Sequence, residues 1–134
     1  RRKKEYLSIC FVDANNLKYV NDTYSHEEGD ELIIIVTDIL RSSIRSSDTL
    51  CRLGGDEFLV ILPECREEQA EEVWQKIREK LAVFNRNEEK PYQISVSHGC
   101  SQFYWEDPIR PDKLLADADE KMYQEKEKYK AGEL

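Results

Sequence analysis

Two strand-like runs, residues 49–53 and 56–62, are separated by nothing but Gly54-Gly55. A link that short leaves the second run no path except back along the first, so the pair reads as a β-hairpin. Glycine suits the bend because it takes positive φ without steric cost. Residues 5–13 (EYLSICFVD) alternate around aliphatic and aromatic positions and read as another strand, and residues 92–104 as a further one broken at Gly99. Between them lie helical periods. Residues 15–24 form a short helix, and 28–45 a longer one with Leu32, Ile33, Val36, Leu40 and Ile44 at helical spacing. Its Ile-Ile-Ile-Val run has strand propensity, but length and period favour the helix. Residues 67–84 put Ala70, Val73, Trp74, Ile77 and Leu81 on one side. Pro111 opens a last helix carrying Leu114, Leu115, Ala118 and Met122, which ends in the charged run 124–130. The order β-α-α-β-β-α-β-α predicts an α+β fold, a central and mostly antiparallel sheet flanked by helices.

At 134 residues the chain fits one domain, taken as 1–134. Twenty Lys and Arg against 28 Asp and Glu give a net charge of −8. That balance disfavours binding to a nucleic-acid polymer or to anionic lipid. The longest aliphatic run, residues 32–36, is far too short to span a bilayer, and no signal peptide precedes the first strand, so a cytoplasmic domain without membrane contact is expected. Cys10, Cys51, Cys65 and Cys100 form no Cys-x-x-Cys pair, and His26 and His98 are not spaced to complete a zinc site. Reduced, buried or half-buried thiols are expected.

Asp13 closes the first strand, where a carboxylate can face a cleft; capping of the following helix is the plainer role, and Asn15 could serve it equally. An EF-hand is excluded, since Leu17 and Lys18 occupy positions that need an oxygen ligand and a glycine. The hairpin tip, Gly54-Gly55-Asp56-Glu57-Phe58, sets two carboxylates beside a bare backbone that a triphosphate can approach. Alternation sends Asp56 and Glu57 to opposite faces, so at most one joins Asp13. If the first strand neighbours the hairpin, Asp13 and Asp56 converge, and two carboxylates with free coordination positions suit Mg²⁺.

The pentapeptide GGDEF at 54–58, the block DANNLKYVNDTYSH at 13–26 followed by Gly29-Asp30, and ADEKMYQEK at 118–126 together resemble the GGDEF family of bacterial diguanylate cyclases. The resemblance implies a five-stranded, nucleotidyl-cyclase-like palm sheet. It implies that Mg²⁺ or Mn²⁺ is held by Asp13, Asp56 and the Ala14 carbonyl. Asp56 would accept the 3′-hydroxyl proton, with Glu57 the second choice. Asn21 and Asp30 would read guanine, with His26 in the nucleotide pocket. Gly55 would lie against the nucleotide, and Lys18, Lys126 and Lys130 would neutralise the triphosphate. Arg45-Ser46-Ser47-Asp48 matches the family's Arg-x-x-Asp product-inhibition motif, so Arg45 and Asp48, helped by Lys76, would bind cyclic di-GMP.

The implied reaction joins two GTP into cyclic di-GMP across a homodimer. The alternative is a receptor that binds GTP or cyclic di-GMP without turnover, and a third is a cyclase making a mixed adenine–guanine product. Ser25 stands where the family has glycine, and Tyr129-Lys130 where Gly-Arg is common. The opening Arg1-Arg2 falls inside the family's lead-in, which implies an N-terminally truncated piece of a larger signalling protein with a preceding sensory domain.

Overall fold

In the computed structural model, which describes residues 6–106 and 109–132, β1 (Tyr6–Ala14) is an inner strand. It lies between β3 (Glu57–Pro63) and β4 (Val96–Tyr104). The first arm of the hairpin, β2 (Thr49–Gly54), pairs with the outer side of β3, so the order is β2-β3-β1-β4 and every neighbour is antiparallel. Strand alternation then assigns the faces. Cys10, Val12 and Ala14 of β1 join Phe58, Val60 and Leu62 beneath α2 (His26–Ser43) and α3 (Glu67–Arg86), whose Leu32, Val36, Leu40, Trp74 and Ile77 complete the main core. On the other face Ile9 packs against Leu114 and Ala118 of α4 (Pro111–Lys130). The short α1 (Leu17–Thr23) links β1 to α2.

Asp13 has the parity of Ile9. It therefore opens on the α4 side at the very end of β1, directly opposite Glu57 on β3 and Ser97 on β4. Asn15, just beyond, is buried rather than capping. Its side chain donates to Ser95 Oγ and accepts from Ser97 Oγ, which fixes the chain leaving Asp13 to the start of β4. The helix α2 begins at His26, two residues earlier than its apolar period suggests. Ser25 is the reason: its hydroxyl accepts from the Glu28 amide at 3.1 Å, and Glu27 and Glu28 complement the helix's positive end.

Several expectations need correction. Four strands, not five, form the sheet among the described residues. Residues 92–95 do not join it, because the Asn85 side chain brackets Ile94 with two 2.9 Å hydrogen bonds and ties this segment to the end of α3. Gly99 does not break β4. The strand runs straight through it, and the glycine is there for α4: a Cβ at this position would lie 2.6 Å from Lys121 Cβ and closer still to Ala118 O and Met122 N. At the hairpin neither Gly54 nor Gly55 takes a positive φ, and a Cβ on either would meet nothing within 4 Å. The chain turns at residues 55–56, between the paired Gly54 and Glu57, with a register shift between Arg52 and Gly54 just before it, and the glycines leave the tip bare. Finally, Cys10 and Cys100 are not free thiols. They are directly opposite on β1 and β4, with Cα atoms 4.1 Å apart, and are joined as a disulfide. Cys51 and Cys65 are free.

Candidate active site

The end of β1, the tip of the β2–β3 hairpin and the last turns of α4 meet at one corner of the sheet. Asp13 is 3% exposed there. One of its oxygens, Oδ2, accepts from Lys126 Nζ at 2.6 Å; the other, Oδ1, is buried with no hydrogen-bond partner. The Asp56 carbonyl accepts from the Ala14 amide at 2.8 Å, which pins the hairpin tip to the end of β1. Burial pushes the Asp13 carboxyl up most strongly; the Lys126 hydrogen bond opposes it, and the Asp56 carboxylate adds to the rise, leaving a pKa of about 6. Lys126 is drawn down by burial, but its bond to Asp13 and the charges of Asp13, Asp56 and Glu57 outweigh that and raise it. Asp56 and Glu57 thus both act on the same ammonium. The expected split of these two carboxylates to opposite faces does not keep Glu57 away from the corner, because β1 pairs with β3 in the register that sets Glu57 opposite Asp13.

A divalent cation fits this corner. The donors are all hard oxygens, one of them is a buried carboxylate oxygen lacking any partner, and an ammonium already stands on the other oxygen as a cation would. Ala14 itself is fully buried between Asp13 and Asn15.

The remaining residues singled out in the sequence fall into three groups. Asn21 on α1 packs against α2 so closely that a Cβ on Gly29 would run into its Oδ1; His26 and Asp30 are exposed on the first turns of α2. The structure gives Lys18 to Asp22 at 2.7 Å and Lys130 to Glu127 at 3.6 Å, so neither is brought to Asp13. Arg45 is bound to Asp48 by two guanidinium contacts (2.9 and 3.3 Å) and to the Pro63 carbonyl at 2.6 Å. Together with Lys76 it borders a hollow of about 270 Å³, remote from Asp13, whose walls also include Glu64 and Glu72.

Two features escaped the sequence. Glu28 is held by Lys90 at 3.1 Å and by the Tyr92 hydroxyl at 2.9 Å, which braces the first turn of α2 from the far side. Tyr129, in the place of a common glycine, accepts from the Asn16 side chain at 2.5 Å and ties the end of α4 to the loop after Asp13. Pairings this distant in sequence leave no periodic signal.

A family model for the diguanylate cyclase GGDEF domain matches residues 1–131. The chain is 34% identical to the probable diguanylate cyclase DgcT of Escherichia coli, over 93% of this chain and 28% of that protein. It is 33% identical to diguanylate cyclase A of Treponema denticola, over 93% of this chain and 34% of that one. Among solved structures, one from Pseudomonas aeruginosa comprising only the GGDEF domain of TpbB (YfiN) superposes with a TM-score of 0.79 at 31% identity, covering 92% of this chain and 73% of that one. The active GGEEF domain of a diguanylate cyclase from Vibrio cholerae superposes with a TM-score of 0.78 at 26% identity, covering 92% and 78%. The chain belongs to the GGDEF domain family. It spans about a third or less of the length of the two curated relatives, and no helix among the described residues is long and apolar enough to cross a membrane.

Proposed function

We propose that this domain joins two GTP molecules into cyclic di-GMP with release of two pyrophosphates. The observation that carries the reading is the corner where Asp13, Asp56, Glu57 and Lys126 gather, with the Asp13 Oδ1 buried and unpartnered. Asp13, Asp56 and the Ala14 carbonyl would hold Mg²⁺ or Mn²⁺, which when bound lowers the 3′-hydroxyl pKa and offsets charge at the α-phosphate. Asp56 takes the proton of the attacking 3′-hydroxyl, with Glu57 next in line. The oxygen–phosphorus bond forms at the α-phosphate of the second GTP, and the bond to pyrophosphate breaks. The reciprocal step closes the ring.

Lys126 leaves Asp13 and turns to the triphosphate, whose charge it offsets; Lys18 and Lys130 would add charge only on leaving Asp22 and Glu127, and Gly55 leaves room for the phosphates. Asn21 and Asp30 select guanine, since a carboxylate accepts from both its N1–H and its 2-amino group, and His26 borders the base. One domain presents one GTP, so a second copy must face it, and bringing the two reactants together is a large part of the rate. The bordered hollow at Arg45, Asp48 and Lys76 takes the product, with the guanidinium exchanging its internal partners for phosphate or guanine.

The test is product analysis from GTP and Mg²⁺ at protein concentrations spanning dimer formation. Wild type should yield cyclic di-GMP with a rate per protein that rises with concentration, and Asp56→Ala should lose it by about a hundredfold or more, the scale of general-base loss. Arg45→Ala should keep turnover while relieving inhibition by the product. GTP bound without pyrophosphate release, even in a forced dimer, would assign the domain to the receptor role. ATP competing equally with GTP would overturn the guanine assignment of Asp30.

A further inference from the structure

A second polar cluster lies away from Asp13, in a hollow of about 300 Å³ between α3, β4 and α4. His98 and Cys100 are two residues apart on β4 and so share its face; Glu71 reaches them from α3. The donor atoms of Glu71, His98 and Cys100 all lie within 4.8 Å of one another. His98 is held in place by three contacts. It stacks on Trp74 at 4.2 Å, its Nδ1 is 3.0 Å from Glu125 Oε1, and its own amide donates to that same oxygen at 2.8 Å. With Nδ1 given to Glu125, Nε2 is the nitrogen that faces Glu71 Oε2, 3.5 Å away, and a bound cation would take the place of any proton held between them. A carboxylate behind one imidazole nitrogen, with the other nitrogen free for a cation, is the usual support of a metal-binding histidine.

The spacing suits a small tetrahedral ion. Bonds of about 2.0–2.3 Å to nitrogen, oxygen and sulfur set neighbouring ligands roughly 3.3–3.8 Å apart, and the His98–Glu71 separation already falls in that range. A nitrogen, a carboxylate and a sulfur favour zinc over magnesium. Glu71 is an exposed helix residue and can close the remaining gap, and the hollow leaves space for water as a fourth ligand.

Cys100 has a competing partner in Cys10, directly opposite on β1. A sulfur in a disulfide is not a thiolate and does not ligate as one. We propose that Glu71, His98 and Cys100 form a zinc site in the reduced protein, and that the Cys10–Cys100 disulfide and the bound metal are mutually exclusive states of the same sulfur. Reduction by a phosphine and water breaks the S–S bond, gives each sulfur a hydrogen, and converts the phosphine to its oxide; the Cys100 thiol then releases its proton on binding the metal. The site uses neither GTP nor the Asp13 corner, so it stands or falls apart from the cyclase reading.

Cobalt(II) tests it, because only a thiolate ligand gives the sulfur-to-cobalt charge-transfer band. Metal-free protein is reduced with the phosphine, freed of it under nitrogen, and titrated with Co²⁺ in excess Mg²⁺, which keeps the Asp13 corner filled. Reduced wild type should take up one Co²⁺ with the band, and Zn²⁺ should bleach it; oxidised wild type should show none. Cys10→Ser is the decisive variant, since it frees Cys100 and should show the band with or without reductant. Cys100→Ser should lack it, and Glu125→Gln should weaken binding about 10–100-fold, the usual effect of losing a supporting carboxylate. Absence of the band in both reduced wild type and Cys10→Ser overturns the proposal. So does a band that survives in folded Cys100→Ser, where the sulfur would be Cys10, Cys51 or Cys65, or one unchanged in His98→Gln, where the ring would be no ligand.

Discussion

Replacing Asp13 with asparagine should make the metal-free domain gain stability relative to wild type as pH rises. In the folded protein the Asp13 carboxyl sits at about 6 instead of 3.8, chiefly because it is buried. The folded state therefore binds this proton more tightly than the unfolded chain does. Stability from this group is greatest below pH 3.8, falls through the interval between the two values, and is lowest once pH passes 6. The difference corresponds to roughly 3 kcal/mol at 1.36 kcal/mol per tenfold change in proton affinity.

Asparagine keeps the shape and carries no charge at any pH. The Lys126 partner lost in the variant is already counted in the wild-type value of about 6, because its hydrogen bond and charge oppose the effect of burial on the Asp13 carboxyl. Urea unfolding in a chelator, from about pH 4 to about pH 7.5, should show the variant-minus-wild-type difference growing by about 2.4 kcal/mol, less than the full amount because the unfolded carboxyl is already more than half ionised at pH 4. Added Mg²⁺ should recover much of the deficit for wild type at the upper end and none for the variant. A difference that stays flat with pH would refute the reasoning, because it would mean that Lys126 alone offsets the burial of Asp13.

Two further substitutions probe what positions the corner. Gly99→Ala drives a methyl into the backbone of α4 at Ala118 and Met122, which cannot rotate away, so the urea midpoint should drop by an amount equivalent to about 1–3 kcal/mol or more; an unchanged midpoint would mean that α4 does not press on β4 there. Gly29→Ala meets only side chains, Asn21, which can swing aside, and Leu17 Cδ1 at 3.2 Å, which need give only slightly, and alanine is the better helix former. Its stability should stay within about 1 kcal/mol of wild type while GTP affinity falls, and an unaltered affinity would remove Asn21 from the guanine pocket.

The helices and the hairpin were readable because their causes are local. Leu32, Val36 and Leu40 repeat at the period of the element they build, and the Gly54-Gly55 link was too short for any other connection. Gly99 was misread because its cause is not local: a glycine in a strand pattern reads as an interruption, whereas here it makes room for a helix beginning twelve residues later. Register was equally hidden. Nothing in the order of residues says that Cys10 faces Cys100 across a separation of 90, or that Glu57 rather than Asp56 sits opposite Asp13. Asp13 and Asp56 could be proposed as partners from strand ends alone. Lys126, 113 residues from Asp13, was reachable only through the family resemblance, because an isolated lysine in a charged helix end carries no signal of its own.

The helix α4 is what makes one edge of the sheet serve two sites. Residues His98 and Cys100 turn their backbone polar groups away from β1, toward the free side of β4. Such an edge invites pairing with another chain. Here Glu125 accepts from the His98 amide, and Lys121, one turn earlier, donates to the Cys100 carbonyl at 2.9 Å, so the edge is closed by side chains of α4. Those two residues fix the helix along the strand, and the next residue after Glu125 is Lys126, about 100° further round, which points across the end of β1 to Asp13. Placement of the ammonium at the cation corner is thus set by hydrogen bonds to the edge of β4 and by the absence of a side chain at Gly99. A helix lifted or slid by one residue would break the Glu125–His98 contacts and the Lys126–Asp13 pair together, which is why a single methyl at position 99 is expected to be felt at the far end of the strand.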